Sequence, residues 1–91
     1  MPQVWLFASL RNVTRGKCPV TVPGATVRQV VESLDTEYPG AREALTLDGD
    51  LMPGLAVVVD GETSALGLLQ PVQEASEVHF LPAIGGGSPS A

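Results

Sequence analysis

The chain has 91 residues, 44% of them hydrophobic, and its ten acidic and five basic side chains give a net charge of −5. We expect a single domain, because a chain of this length buries only about 60–65% of the surface that its unfolded form exposes. The acidic balance argues against binding to nucleic acid, which needs clustered lysine and arginine side chains. It favours a protein partner with a basic docking face.

The first ten residues, MPQVWLFASL, lack the features of a secretion signal. No basic segment precedes the apolar stretch, which is also too short to cross a membrane. We therefore expect a cytoplasmic protein that does not associate with a membrane. The one cysteine, Cys18, excludes a disulfide bond within the chain.

Two strands are predicted before the first proline-glycine break. Residues 4–10, VWLFASL, are apolar and β-prone, and the polar residues 11–17, RNVTRGK, indicate a hairpin turn. Residues 18–22 alternate in polarity and predict a second strand. Pro19 restricts that strand to an edge of the sheet, because proline cannot donate a ladder hydrogen bond.

The clearest helix signal begins at Thr26. Thr26 and Gln29 have the spacing of a capping box, in which each side chain satisfies a free backbone N–H group. Pro39 and Gly40 end the pattern. Residues 41–45 predict a short helical turn, and residues 48–50 predict a tight turn. The apolar stripe of the main helix is Val27, Val30, Val31, Leu34 and Tyr38.

Two further strands complete the predicted order. Residues 55–59, LAVVV, are apolar at every position, which predicts a central strand covered on both faces. Residues 77–82, EVHFLP, predict a last strand with Val78 and Phe80 on one face and His79 and Leu81 on the other. One helix against a small mixed sheet is an α+β arrangement. It favours a ubiquitin-like β-grasp fold over residues 1–84, with the first and last strands parallel at the centre and a flexible tail at residues 85–91.

Catalysis within the domain has little support. His79, the single histidine, is interpreted as a half-exposed strand residue, and Cys18 as a small buried hydrophobe. Asp48 and Asp50 flank a glycine but lack the other ligands of a calcium loop. No metal site or bound cofactor is therefore predicted, and we expect no enzymatic activity.

The glycine run at residues 85–87 is the remaining candidate. It is either a frayed end or a working thread, because glycine has no side chain and adopts many backbone conformations. Such a thread can deliver a terminal carboxylate through a narrow channel into the active site of another protein. ATP-dependent acyl activation followed by sulfur attack is the chemistry that suits a carboxylate delivered in this way.

Four segments in order resemble the ubiquitin-like sulfur carriers of the MoaD/ThiS type, which include the small subunit of molybdopterin synthase and the thiamine sulfur carrier. They extend over nearly the whole chain. The segments are residues 4–12 (VWLFASLRN), residues 24–34 (GATVRQVVESL), residues 55–61 (LAVVVDG) and residues 80–87 (FLPAIGGG).

The resemblance assigns roles to the residues after the last strand. Gly86 and Gly87 match the diglycine of the family, so Gly87 would carry the carboxylate that becomes a thiocarboxylate. Ile84 and Gly85 would thread into the activating enzyme, an adenylyltransferase of the ubiquitin-activating type that uses ATP. The sulfur would pass to an acceptor enzyme, either the large subunit of molybdopterin synthase or another sulfur-inserting synthase.

The resemblance also implies a docking face. Phe7 and Leu81 match positions at which the molybdopterin type makes apolar contacts with its partners. Strand parity adds Trp5 and His79 to the same patch if the first and last strands are neighbours. The alternative is that Trp5 and Phe7 belong to the core, since Val4, Leu6 and Ala8 are apolar as well.

One departure from the family affects function. Residues 88–91 follow the diglycine, so Gly87 is in a peptide bond and has no free carboxylate. The resemblance implies cleavage before Ser88 by a JAMM-type metallopeptidase; the other interpretation is a cloning remnant. The pathway stays open between molybdopterin, cysteine and a sulfur-containing secondary metabolite. The competing hypothesis is a β-grasp binding module or protein modifier with a tail that does not react.

Overall fold

A computed structural model of the chain describes residues 1–83. The tail residues predicted above, Ile84, Gly85, Gly86, Gly87 and Ser88, lie outside the described residues. The helices are α1 (Val27–Glu37) and α2 (Ala41–Leu45), with 3₁₀ helices at Ala8–Thr14 and Gly67–Leu69. The strands are β1 (Gln3–Leu6), β2 (Val20–Thr21), β3 (Thr46–Leu47), β4 (Asp50–Leu51), β5 (Leu55–Val59), β6 (Glu62–Thr63) and β7 (Glu77–Pro82).

Five strands form one mixed sheet in the order β2-β1-β7-β5-β6. β1 and β7 are parallel neighbours, with Trp5 beside His79, while the other pairings are antiparallel. β3 and β4 form a separate hairpin. The predicted α+β class, the β-grasp fold and the parallel central pair are confirmed.

Helix α1 packs across one face of the sheet and encloses the core. Its buried residues are four of the five predicted in the stripe, and Tyr38 caps the C-terminal end half-buried. The core is Val4, Leu6, Val22, Val27, Val30, Val31, Leu34, Ala41, Leu45, Val57, Val59, Leu68, Val72, Val78 and Phe80.

The predicted cap of α1 is present with one difference in detail. The Thr26 hydroxyl oxygen accepts a hydrogen bond from the Gln29 N–H at 3.2 Å. The Gln29 side-chain oxygen accepts from the Ala25 N–H at 2.8 Å, one residue earlier than a capping box places it. Just before the cap, a Cβ on Gly24 would lie 2.8 Å from the Val30 backbone nitrogen. Only glycine therefore fits where the chain enters the helix.

The prediction for residues 4–17 is wrong in its second half. β1 ends at Leu6, and residues 8–14 form a 3₁₀ helix instead of the end of a strand and a hairpin turn. The apolar side chains of Leu10 and Val13 pack against the core. These contacts fix the position of this otherwise polar segment. The Thr14 hydroxyl is buried and donates to the Lys17 carbonyl at 2.6 Å.

The predicted burial of β5 is also wrong. Val57 and Val59 are buried beneath α1, but Leu55, Ala56 and Val58 are only half-buried. Elements of the described chain cover one face of this strand, although both faces are apolar. β2 lies at a sheet edge as predicted, whereas the polar strand β6 has no counterpart among the predicted elements. None of the helices in residues 1–83 is long and apolar enough to span a membrane.

Candidate functional site

The face of the sheet turned away from α1 is built from three adjacent central strands. β7 contributes His79 and Leu81, because Val78 and Phe80 point into the core. Direct pairing places Ala56 opposite Leu81 and Val58 opposite His79 on β5. We call this surface the open face, and its half-buried residues are Trp5, Phe7, Ala56, Val58, His79 and Leu81.

The imidazole of His79 stacks against two aromatic rings at the centre of the open face. Its centroid is 5.6 Å from that of Trp5 and 5.5 Å from that of Phe7, with interplanar angles of 13° and 17°. These values lie in the range of offset stacking, which adds roughly 0.5–1.5 kcal/mol to simple burial. The three rings therefore form one continuous aromatic stack on the open face.

A groove of about 550 Å³ lies beside the stack. It is bordered mainly by apolar groups, and its acidic lining residue, Glu77, is at the end where β7 begins. Its lining residues are Phe7, Val58, Gly61, Glu77, His79, Leu81 and Pro82. Large exposed apolar surfaces on small domains commonly mark interaction sites, and this one ends at the residue where β7 ends.

The C-terminal end of β7 remains hydrogen-bonded to the segment at the start of β5, up to Ala83, the last described residue. Leu55 pairs with Pro82, and the Ala83 N–H donates to the Gly54 carbonyl at 2.7 Å. The predicted tail therefore follows directly from a strand that is held at the centre of the sheet. Leu81, on the open face, precedes Gly85 by only four positions.

Asp60 fixes the beginning of the same strand. Its carboxylate accepts hydrogen bonds from the Ser76 hydroxyl at 2.7 Å and from the Glu77 N–H at 3.0 Å. The bond from Ser76, followed by that from Glu77, lowers the pKa of Asp60 below its ordinary value. Both ends of β7 are thus anchored, which defines the position of His79 and Leu81 between them.

The structure brings together the four residues that strand parity placed in one patch. Trp5 and Phe7 are half-buried on the open face, whereas Val4 and Leu6 are fully buried, so the alternative that Trp5 and Phe7 are core residues is wrong. Their role in docking stays a prediction. Sequence reasoning missed Ala56 and Val58, although the uninterrupted apolar run of β5 carried the signal.

Catalytic groups do not converge elsewhere in residues 1–83. No cluster of three or more histidine, cysteine, aspartate or glutamate side chains is arranged to hold a metal ion in that part of the chain. The Cys18 sulfur lies 3.4 Å from the Leu6 backbone nitrogen and 3.6 Å from its oxygen, in a half-buried position. This environment suits a small packing residue.

The model of the ThiS family matches residues 4–87. A chain of the Amycolatopsis orientalis BexX/CysO complex is 27% identical with a TM-score of 0.85, covering 96% of this chain and 100% of that one. Mycobacterium tuberculosis CysO, described as an antigen, is 27% identical with a TM-score of 0.83 and coverages of 92% and 100%. SAMP1 from Haloferax volcanii is 28% identical with a TM-score of 0.71 and coverages of 94% and 98%. No curated protein sequence matches the chain.

Proposed function

The chain belongs to the ThiS family of ubiquitin-like sulfur carriers, and on that premise we propose that Gly87 carries sulfur as a thiocarboxylate. The observation that carries the proposal is the continuity between the open face and the tail. β7 supplies His79 and Leu81 to the open face, and one residue after its end at Pro82 the sequence reads IGGG, residues 84–87. A partner that docks on the open face therefore meets the start of the tail.

The reach of the tail suits delivery into an active site that the domain does not enter. Four residues follow Ala83 up to Gly87, and an extended chain spans at most about 3.3–3.6 Å per residue. The Gly87 carbonyl can thus project up to roughly 14 Å beyond the domain. The glycines at residues 85–87 offer no side chain that would block a narrow channel.

The proposed chemistry takes place in the partner. A Gly87 carboxylate oxygen attacks the α-phosphorus of ATP and displaces pyrophosphate, which leaves an acyl-adenylate. A sulfide equivalent then adds to the acyl carbon, and AMP departs with the former carboxylate oxygen. The carrier contributes the acyl group and the docking surface, so it acts as a cosubstrate without catalysis of its own. The partner is an adenylyltransferase of the ubiquitin-activating type.

Removal of residues 88–91 is a required first step in this proposal. Gly87 is bonded to Ser88 in the full chain, and the family match ends at Gly87. A JAMM-type metallopeptidase that cleaves before Ser88 would release the carboxylate. We expect such cleavage in cytoplasmic extracts of the native organism.

The acceptor of the sulfur is a sulfur-inserting synthase. Similarity to the two CysO structures suggests cysteine biosynthesis among the three pathways that the sequence left open. One of those relatives is described in a complex with BexX, which supports a protein partner for this chain as well. We propose that the open face of this chain also contacts the synthase.

Intact-mass measurement of the protein from native cells tests the proposal. We expect the chain to end at Gly87 and to gain about 16 Da over the cut carboxylate form, because one sulfur replaces one oxygen. A chain that keeps residues 88–91 under every sulfur supply would contradict the proposal. So would a cut chain that never acquires the added mass.

A variant pair tests the site in vitro with the chain ending at Gly87. Gly87→Ala should abolish ATP–pyrophosphate exchange by the adenylyltransferase, because its methyl group would obstruct the narrow channel through which the carboxylate reaches ATP. Glu43→Gln, an exposed change on α2, serves as the control and should leave exchange unchanged. Equal exchange by Gly87→Ala and the control would exclude Gly87 as the activated residue.

Similarity to SAMP1 from Haloferax volcanii supports a second candidate, since the Methanosarcina acetivorans protein of the same name is described as a small archaeal modifier protein. In that case Gly87 would form an amide with a lysine of another protein. Tryptic digests of native cells would then contain lysines that carry residues 43–87, because Arg42 is the last trypsin site before Gly87. Their absence, together with the thiocarboxylate mass, favours the carrier.

A further inference from the structure

Charge is distributed unevenly along the chain. Residues 1–31 contain four basic side chains and no acidic one, whereas residues 32–91 contain one basic and ten acidic side chains. Three of the four, Arg11, Arg15 and Lys17, lie in and just after the 3₁₀ helix Ala8–Thr14. We call residues 11–17 the basic segment.

The backbone of the basic segment is fixed by its own hydrogen bonds. The Gly16 N–H donates to the Arg11 carbonyl at 2.8 Å, and the Lys17 N–H donates to the Thr14 carbonyl at 3.0 Å. Arg15 has a φ of 56° and Gly16 a φ of 85°, so two successive left-handed residues close the helix. Such backbone ordinarily favours glycine or asparagine, yet an arginine occupies the first position. The three cationic side chains are thus exposed on a turn of defined shape.

None of these three cations has an ionic partner within residues 1–83. The ion pairs in that part of the chain are Met1 with Glu74, Arg28 with Glu32, and His79 with Glu77. Arg11 donates from Nε to the Leu6 carbonyl at 3.2 Å, which holds its guanidinium beside the end of β1. Helix α2 also contacts the 3₁₀ helix, but its Arg42 and Glu43 carry opposite charges. The basic segment therefore keeps an excess of positive charge.

The sheet places the basic segment beside the end of β7. β1 and β7 are parallel, and the Phe7 N–H donates to the Phe80 carbonyl at 3.2 Å just before the 3₁₀ helix begins. That helix contacts both strands. At the opposite end, where β7 begins, the acidic residues are Asp60, Glu62, Glu74 and Glu77. β7 has six residues and rises about 3.3 Å per residue, so the two ends are roughly 17 Å apart. The end of β7 that precedes the glycine run is thus basic, although the chain as a whole is acidic.

From this distribution we propose that the basic segment is a second docking surface, which binds an acidic surface on the protein that receives the tail. The net charge alone predicts a basic docking face on the partner, and the local charge at this end of β7 reverses that expectation. Arginine suits the role, because its planar guanidinium matches two carboxylate oxygens at once and because it is enriched at protein interfaces. The identity of the partner rests on the proposed function, whereas the sign of its charge follows from the basic segment.

A protein surface fits the basic segment better than nucleic acid does. Nucleic acids gain affinity from many phosphate contacts along an extended backbone, and three cations offer only a short stretch of such contacts. A longer polyanion would also approach the ten carboxylates that follow residue 31. A compact acidic patch on a protein can match the basic segment without this repulsion.

Two variants of equal net charge test whether the position of the cations matters. Arg15→Gln/Lys17→Gln removes two cations from the basic segment, and Arg28→Gln/Arg42→Gln removes two from α1 and α2. Each variant changes the net charge of the full chain from −5 to −7. Arg11 is kept in both, because its side chain bonds to the Leu6 carbonyl. Circular dichroism checks that both variants are folded.

A poly-glutamate peptide serves as the probe for an acidic surface and requires no identified partner. Added to the isotope-labelled 91-residue chain at low salt, it should shift the amide resonances of residues 11–17. The shifts should fall several-fold in Arg15→Gln/Lys17→Gln, persist in Arg28→Gln/Arg42→Gln, and vanish at about 1 M salt, where the screening length is about 3 Å. An absence of shifts in the wild type, or equal shifts in the two variants, would overturn the proposal. So would tighter binding of a short single-stranded RNA to the same residues.

ATP–pyrophosphate exchange by the adenylyltransferase of the same genome tests the assignment of the partner. With chains ending at Gly87, Arg15→Gln/Lys17→Gln should lower kcat/KM about two- to fivefold for each cation removed. The loss should lie in KM and should shrink as salt is added. Arg28→Gln/Arg42→Gln should exchange as the wild type does.

The outcomes separate the two proposals. Exchange that is equal in both variants would overturn docking by the basic segment while still supporting the carrier function. An absence of exchange with every chain would overturn the carrier function. The peptide titration would then still decide whether the basic segment binds an acidic surface.

Discussion

The two faces of the central strands use similar residues for different purposes. On the closed face, Val78 and Phe80 are fully buried beneath α1. On the open face, His79 and Leu81 of the same strand are half-buried, and β5 alternates in the same way. The chemistry of the side chains does not separate the faces, since both are largely apolar. The two faces differ in whether another element of residues 1–83 packs over them.

This difference predicts a separation of stability from docking. Residues of the closed face should determine the free energy of unfolding, because their transfer from water occurs on folding. Residues of the open face should affect the affinity for partners more than stability. Substitutions at neighbouring positions of one strand can test this directly.

Phe80→Ala should produce the largest loss of stability. Phe80 is fully buried, and truncation of a buried phenylalanine removes about 3–5 kcal/mol from the free energy of unfolding. Urea denaturation followed by circular dichroism measures the change. Phe80→Leu, expected to cost roughly 1.5 kcal/mol or less, provides a measurable variant if Phe80→Ala does not fold.

The matched change at the next position is Leu81→Ala. Because Leu81 faces outward, we expect it to lower the free energy of unfolding by roughly 1 kcal/mol or less while weakening binding to the adenylyltransferase. Equal losses of stability from the two truncations would show that the faces do not differ as described.

A smaller effect is expected at the end of the helix that covers the closed face. Thr26→Ala removes the acceptor for the Gln29 N–H and should lower the free energy of unfolding by about 1 kcal/mol. Thr36→Ala is the control, because this exposed threonine lies within α1 and bonds only to the Glu32 carbonyl. Thermal unfolding of both variants measures the two changes in stability. A loss of stability in Thr36→Ala as large as in Thr26→Ala would contradict the assigned cap.

The smallest expected effect is on the free energy of unfolding at low pH. Hydrogen bonds from Ser76 and Glu77 lower the pKa of folded Asp60, so its stabilising contribution is fully present above the ordinary aspartate pKa of about 3.9. The contribution is lost as the pH falls through the lower pKa of the folded state. Asp60→Asn should therefore differ from the wild type in urea denaturation at pH 7 but converge with it in strong acid. A difference that persists unchanged in strong acid would exclude ionisation of Asp60 as the cause.

Local signals in the sequence were sufficient to predict the elements whose structure depends mainly on residues close by in the chain. The stripe of α1, the cap at Thr26 and the two faces of β7 were predicted correctly, because spacing and propensity state them directly. The segment at residues 8–14 was not, because its fold depends on the contacts of Leu10 and Val13 with a distant core. Such tertiary contacts leave little trace in a polar local sequence.

Only part of the open face could be predicted from the sequence, for a related reason. Parity placed Trp5 beside His79 once the parallel pairing of β1 and β7 was assumed. An apolar run such as residues 55–59, however, has the same appearance whether its second face is covered by its own chain or left for a partner. Only the structure shows that Val58 is left partly uncovered.

The position of β7 has a consequence for biosynthesis. Among the strands in residues 1–83, β7 leaves the ribosome last, yet it lies between β1 and β5 at the middle of the sheet. A nascent chain cannot complete its sheet until this strand is made, and such distant pairings form slowly. Chains interrupted before residue 77 lack both the centre of the sheet and the glycine run. Under the proposed function, an activating enzyme that docks on the open face would bind only copies that have been synthesised through β7 and have folded.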